Sequence, residues 1–138
     1  MRCIKDSSDL EMFNDFLDLV ENATKESDTL FPMLVSVTNK SDKISVMFEA
    51  LTHPTDMEII MTCETPTGSF DEMVGNIVSD MREQVRYVSK NNEQIAEEWS
   101  SESGADIEDC IDNNYKFVDI YSNLADYIEN ELQQLSLF

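Results

Sequence analysis

Residues 31–64 read FPMLVSVTNKSDKISVMFEALTHPTDMEIIMTCE, and the rest of the chain is predicted to be built around this stretch. Apolar residues occupy every second position in three successive segments that start at Phe31, Ile44 and Met57. Since a period of two places alternate side chains on one face of a β-strand, each segment is predicted to be a strand with one apolar face. The connections NKSD and THPTD are short and rich in turn residues, which favours an antiparallel meander. The predicted core-facing residues are Phe31, Met33, Val35, Val37, Ile44, Val46, Phe48, Ala50, Met57, Ile59, Met61 and Cys63.

An amphipathic helix is predicted before the sheet. Ser8 stands three residues ahead of Glu11, which is the spacing of an N-terminal capping box. Apolar residues then recur at helical spacing, and the pattern ends near residues 24–27. Such a helix can cover the apolar face of a three-stranded sheet.

Two further helical patterns follow the sheet. The first begins at a second capping-box pair, Ser69 and Glu72, and extends past residues 90–92, where the pattern allows a break. The second covers residues 117–135 and is preceded by a shorter helical segment, which residues 112–114 can interrupt. The order α-β-β-β-α-α predicts an α+β fold, in which helices cover a three-stranded antiparallel sheet.

The chain is strongly acidic. Its 138 residues include 29 Asp and Glu against nine Lys and Arg, for a formal net charge of −20. Such a surface repels nucleic acid and anionic lipid, so we expect neither direct nucleic-acid binding nor membrane binding. It attracts basic proteins, including those with grooves that hold DNA. A simpler explanation is an ordinary acidic surface that keeps the protein in solution.

The sequence carries no recognisable catalytic or cofactor-binding pattern. His53, the one histidine, precedes Pro54 in a predicted turn, and the three glycines are too scattered for a phosphate-binding loop. The three cysteines lack metal-ligand spacing. We therefore expect a non-enzymatic protein with no cofactor and no metal. Because neither a signal peptide nor an apolar run of membrane-spanning length is present, we expect it in the cytoplasm.

Seven carboxylates between residues 97 and 112, with no Lys or Arg among them, form a segment named here the acidic ridge. Glu98 and Glu102 are one helical turn apart, as are Glu108 and Asp112, so carboxylate pairs for Mg²⁺ and a metal-dependent hydrolase are one alternative. A second is a solvated surface. A third is a DNA-mimic inhibitor of anti-CRISPR or anti-restriction type, of phage or mobile-element origin, that occupies the groove of a DNA-binding enzyme. The acidic ridge comprises Glu97, Glu98, Glu102, Asp106, Glu108, Asp109 and Asp112.

The eight methionines allow one more class of function. Methionine side chains adapt to irregular surfaces and are common both in cores and at promiscuous binding sites. An acidic chaperone that holds a client protein on a methionine-rich surface is therefore a further alternative.

The last five residues, Gln-Leu-Ser-Leu-Phe at 134–138, are named here the C-terminal pentapeptide. They resemble the motif by which bacterial replication and repair proteins bind the sliding clamp, which is Gln-Leu, then Ser or Asp, then Leu-Phe. All five positions match. The resemblance implies that Gln134 is held by polar groups at the rim of the clamp pocket and that Leu135 fills an upper subsite. It also implies that Leu137 and Phe138 enter a lower hydrophobic subsite.

The resemblance divides the chain in two. Residues 1–133 are expected to form a single acidic α+β domain, and residues 134–138 an interaction tail whose Leu137 and Phe138 are exposed beyond the last helix. Alternatively, the pentapeptide is the last turn of a core helix, because Leu135 is in helical register with Leu132. The candidate partners are accordingly the sliding clamp or a DNA-binding enzyme.

Overall fold

The computed structural model describes residues 8–51 and 58–136, which form four helices and three strands. The strands lie in one antiparallel sheet with the order β1-β2-β3, so the predicted α+β meander is confirmed. The break allowed near residues 90–92 separates two helices at Asn91. In chain order the elements are α1 (Asp9–Glu26), β1 (Met33–Asn39), β2 (Lys43–Ala50), β3 (Ile60–Pro66), α2 (Phe70–Lys90), α3 (Asn92–Ser103) and α4 (Ile107–Ser136).

The predicted apolar face of the sheet is the face that packs against the helices. Every second residue of β2 is buried, and Phe48 at its centre is paired with Val35 of β1 and Met61 of β3. β3 begins at Ile60, later than predicted, while Met57 lies outside the described residues. Its core-facing side chains are those that the alternation indicated, because strand register fixes the face even where the end of a strand shifts.

Both predicted capping boxes begin helices. The backbone N–H of Glu11 donates to the Ser8 hydroxyl at 3.2 Å, and that of Glu72 donates to the Ser69 hydroxyl at 3.3 Å. Each serine satisfies one of the N–H groups that the first turn of a helix leaves without an intrahelical partner. These caps fix where α1 and α2 start.

Side chains of α1 cover part of the outer edge of β1. The hydroxyl of Thr24 accepts a hydrogen bond from the Met33 N–H at 3.1 Å, and the Glu21 carboxylate accepts one from the Val35 N–H at 2.7 Å. These amides point away from β2 and would otherwise be open for pairing with another strand.

Side chains of α2 act in the same way on the opposite edge. The Asp80 carboxylate accepts a hydrogen bond from the Glu64 N–H at 2.9 Å, and the Gln84 amide donates to the Thr62 carbonyl at 2.9 Å. Both edges of the sheet are therefore partly satisfied by helix side chains, which disfavours edge-to-edge association.

Helix α4 runs across the core as one continuous helix. Its 30 residues span about 45 Å at 1.5 Å per residue. Tyr121 is fully buried, and its hydroxyl donates to the backbone carbonyl of Phe48 at 2.6 Å. Arg82 of α2 forms salt bridges with Asp126 at 3.0 Å and Glu129 at 3.1 Å. These contacts join α4 to the sheet and to α2.

Candidate functional site

The acidic ridge lies on an antiparallel hairpin made by α3 and the start of α4. Buried asparagines fix the register of the hairpin: the Asn114 amide donates to the Asn92 side-chain oxygen at 2.7 Å, and Asn92 donates to the Ile111 carbonyl at 3.4 Å. Since buried polar groups are costly unless bonded, this pairing selects one alignment of the two helices. Residues 112–114 therefore do not interrupt α4, because the buried Asn114 amide is satisfied by Asn92 of α3.

The turn between α3 and α4 is closed by local hydrogen bonds. Gly104 adopts the left-handed conformation, with φ of 76°, and its N–H donates to the Ser100 carbonyl at 2.9 Å, so α3 ends there. Asp106 then accepts a hydrogen bond from the Glu108 N–H at 3.0 Å and caps the start of α4. The backbone that carries the acidic ridge is thus defined on both sides of the turn.

All seven carboxylates of the acidic ridge are exposed. Within residues 8–51 and 58–136, no Lys or Arg forms a salt bridge with any of them. Apart from the capping bond of Asp106, none accepts a hydrogen bond from another described residue. The ridge is a block of negative charge that the described part of the fold leaves without a cation.

Helix polarity separates two groups of acids within the ridge. Glu108 and Asp109 lie in the first turn of α4, where the positive end of the helix dipole favours carboxylates. Glu102 lies near the C-terminal end of α3, where the dipole disfavours them and the last turn has no basic residue. Glu98 is one turn before Glu102. Helix stability therefore accounts for Glu108 and Asp109 but not for Glu102.

The ridge does not gather its carboxylates around a point. Among the described residues, no group of three or more His, Cys, Asp or Glu side chains is arranged to hold a metal ion. The pairs Glu98 and Glu102, and Glu108 and Asp112, are all exposed to solvent. What the arrangement offers is a spread of negative charge suited to a basic surface.

The two described cysteines are buried thiols. Burial, with a smaller contribution from the Asp80 carboxylate, raises the pKa of Cys63 to about 12. Burial also raises the pKa of Cys110, with the nearby Asp109 acting in the same direction. Because the thiolate is the reactive form, neither thiol is activated as a nucleophile at neutral pH. Cys3 and His53 lie outside the described residues.

Two adjoining cavities, of about 270 and 370 Å³, lie between the α1–β1 linker and α4. They share Thr29, Leu30 and Asn123, and the charged residues in their walls are Asp28, Lys116, Asp119 and Asp126. Both cavities are open, and all four of these charged residues are exposed. The cavities are separate from the acidic ridge and contain no buried charged group that would hold a ligand.

The C-terminal pentapeptide begins inside α4. The helix extends to Ser136, so the first three residues of the pentapeptide are helical. Gln134 is exposed, whereas Leu135 is half-buried and packs against the core beside Leu132. Leu137 and Phe138 lie outside the described residues, and their exposure stays a prediction.

The buried asparagines are the residues of this site that periodicity did not identify. A signal was present, because Asn114 lies four residues after Cys110 and three before Phe117, in register with the apolar stripe of α4. A polar residue at a core position of a continuous stripe indicates a hydrogen-bonded partner across the packing interface as readily as it indicates a break.

Comparison of the chain with protein-family models finds no match. Neither the curated proteins nor the solved structures give a match. In the part of the chain that the structure describes, no helix is long and apolar enough to cross a membrane. A function has to be inferred from the residues themselves.

Proposed function

We propose that this is a non-enzymatic interaction protein that acts on bacterial DNA-processing machinery in the cytoplasm and binds the sliding clamp through residues 134–138. The observation that carries the proposal is the match of all five positions to the clamp-binding motif. The fold supports it because α4 carries the start of the pentapeptide and leaves Gln134 exposed.

The apolar residues of the pentapeptide supply the binding energy in this proposal. Burying a Leu or Phe side chain in a partner pocket is worth about 1.5–3 kcal/mol before ordering costs. The double variant Leu137→Ala, Phe138→Ala is therefore expected to bind the clamp about 100-fold more weakly than the full-length protein. Clamp affinity is measured by calorimetry, and thermal unfolding is recorded for both proteins.

The control for this experiment is Leu19→Ala, which removes an exposed leucine of α1, 44% accessible, at a distance in sequence from the pentapeptide. It should leave clamp affinity unchanged. The proposal fails if the full-length protein has no clamp affinity at micromolar concentration. A large loss of thermal stability in the double variant would instead place Leu137 and Phe138 in the core.

The acidic ridge supports a second candidate function, inhibition of a DNA-binding enzyme by imitation of DNA. The observation that favours it is the exposure of all seven carboxylates without a cation partner among the described residues. The position of Glu102 adds to it, because this charge opposes the helix dipole at the end of α3 and is not explained by helix stability. A basic groove would compensate it.

The test neutralises four charges of the ridge and measures inhibition of DNA cleavage by CRISPR and restriction nucleases. The changes are Glu97→Gln, Glu98→Gln, Glu102→Gln and Asp106→Asn, the last chosen because asparagine also caps helices. Inhibition should be lost while the melting temperature is kept.

A matched variant with the same change in net charge at exposed sites elsewhere should still inhibit; it carries Asp18→Asn, Glu26→Gln, Glu58→Gln and Glu83→Gln. Equal inhibition by both variants would remove the DNA-mimic hypothesis.

A further inference from the structure

The end of α4 places Leu135 in two incompatible roles. In the folded protein Leu135 is half-buried against the core, together with Leu132. In the proposed complex the same side chain fills a pocket of the clamp. One side chain cannot occupy both sites, so binding through Leu135 requires it to leave the core.

Resting on the proposed function, we propose that the last turn of α4, residues 133–136, is a latch. While this turn is helical, it holds Leu135 against the core and the pentapeptide is incomplete as a ligand. When the turn unwinds, the Leu135 side chain becomes available to the clamp. The affinity of the full-length protein for the clamp is then the affinity of the open form multiplied by the fraction of molecules in which the turn is open.

The packing of α4 weakens toward this end, so opening can be confined to the last turn. Leu124 and Ile128 are each 1% exposed, whereas Leu132 and Leu135 are only partly buried. The last turn contains no basic residue, and Glu131 lies just before it, near the negative end of the helix dipole. Helix ends with few buried apolar contacts open at lower cost than the core.

Gln133 provides a test that leaves the pentapeptide intact. It is exposed, uncharged and inside the last turn. Gln133→Gly favours unwinding of the turn and Gln133→Ala disfavours it. From the helix propensities of glycine and alanine, the Gly variant should bind the clamp about fivefold more tightly than the Ala variant.

Two controls separate the latch from other effects. The same pair of substitutions at Gln94, an exposed glutamine of α3, should leave clamp affinity unchanged. Synthetic peptides of residues 129–138 that carry Gly or Ala at position 133 report any direct contact of that residue with the clamp, because a short free peptide has no stable helix to unwind. The two peptides should bind equally.

The outcomes are distinguishable. Tighter binding by Gln133→Gly in the protein, with equal binding by the two peptides, supports the latch. Equal binding by the two protein variants overturns the latch and leaves the proposed function standing. The latch is also overturned, and the proposed function left standing, if the affinities of the two peptides differ as much as those of the two protein variants. Absence of binding by every protein and peptide overturns the proposed function and the latch together. Backbone carbon chemical shifts of residues 133–136 add a direct reading, since the supporting result includes their change from helical values on clamp binding.

Discussion

The carboxylates around the sheet and those of the acidic ridge differ in what they contact. Near the sheet, Glu21 and Asp80 each accept a hydrogen bond from an edge-strand amide. Asp9 accepts one from the Phe70 N–H at 3.0 Å, which ties the start of α1 to the start of α2. On the α3–α4 hairpin, Asp106 alone among the ridge acids bonds to another described residue. Asp and Glu side chains thus bond backbone amides in one region and are exposed to solvent in the other.

The net charge of −20 therefore has two parts with different causes. Part of it satisfies backbone N–H groups of the sheet edges and of α2. The part on the acidic ridge satisfies little and adds to the mutual repulsion of the surface, which disfavours the compact state. A search for a binding surface should therefore begin where carboxylates have no structural task.

The largest expected contrast between core and hairpin lies within α4, at two tyrosines. Tyr121 is fully buried and bonded to the sheet, whereas Tyr115 is 62% exposed. Tyr121→Ala should lower the free energy of unfolding by about 3–5 kcal/mol, the usual cost of removing a buried aromatic ring. Tyr115→Ala, the matched control, should change it by less than about 0.5 kcal/mol. Chemical denaturation of the two variants measures both.

Tyr121→Phe divides the cost at this position. It keeps the ring and removes the hydroxyl that donates to the Phe48 carbonyl at 2.6 Å, so about 1 kcal/mol should be lost. If Tyr115→Ala proved as costly as Tyr121→Ala, the hairpin would be part of the cooperative core, and the contrast between the two regions would not hold.

A smaller contrast compares carboxylates directly. Glu21→Ala removes the acceptor for the Val35 N–H at the partly buried edge of β1, which should cost about 1–2 kcal/mol. Glu97→Ala removes an exposed carboxylate of α3 and should change stability by less than about 0.5 kcal/mol. Glu21→Gln keeps an acceptor oxygen and should fall between them. Equal losses for Glu21→Ala and Glu97→Ala would show that the edge hydrogen bond contributes nothing.

The sheet and the helix starts could be predicted because their causes are local. Alternation fixes the faces of three strands, and a serine three residues before a glutamate marks each of two helix starts. The continuity of α4 could not be predicted with the same rules. It depends on Asn92, whose side-chain oxygen accepts a hydrogen bond from the Asn114 amide across the hairpin. The two residues are 22 positions apart in sequence.

The two groups of carboxylates were predictable to different degrees. Exposure of the acidic ridge follows from its composition alone, because seven carboxylates without a cation are too costly to bury. The edge roles of Glu21 and Asp80 depend on how α1 and α2 cross the sheet, and nothing in the local pattern marks either residue. For the pentapeptide, helical register indicated the contact that Leu135 makes with the core, and the clamp motif indicated the competing role.

The smallest expected effect concerns the ion pair on the open face of the sheet, where Lys43 Nζ lies 2.7 Å from a carboxylate oxygen of Glu64. The hydrogen bond from Lys43, and then its charge, hold the pKa of Glu64 below its ordinary value. Because the pKa in the folded state is depressed, the stabilisation is present above the unfolded-state pKa. It is lost as the pH falls through the folded-state pKa.

Lys43→Gln should therefore raise the pKa of Glu64 toward its ordinary value and reduce the loss of stability on acidification. The titration of the Glu64 side-chain carboxyl carbon, followed by NMR, measures the pKa, and thermal unfolding across the same pH range measures the stability.

Lys116→Gln is the control, because it removes an exposed lysine of α4 that forms no salt bridge within the described residues. It should leave the Glu64 titration unchanged. If Lys43→Gln also left it unchanged, the ion pair would be a contact without energetic weight, as many exposed pairs are.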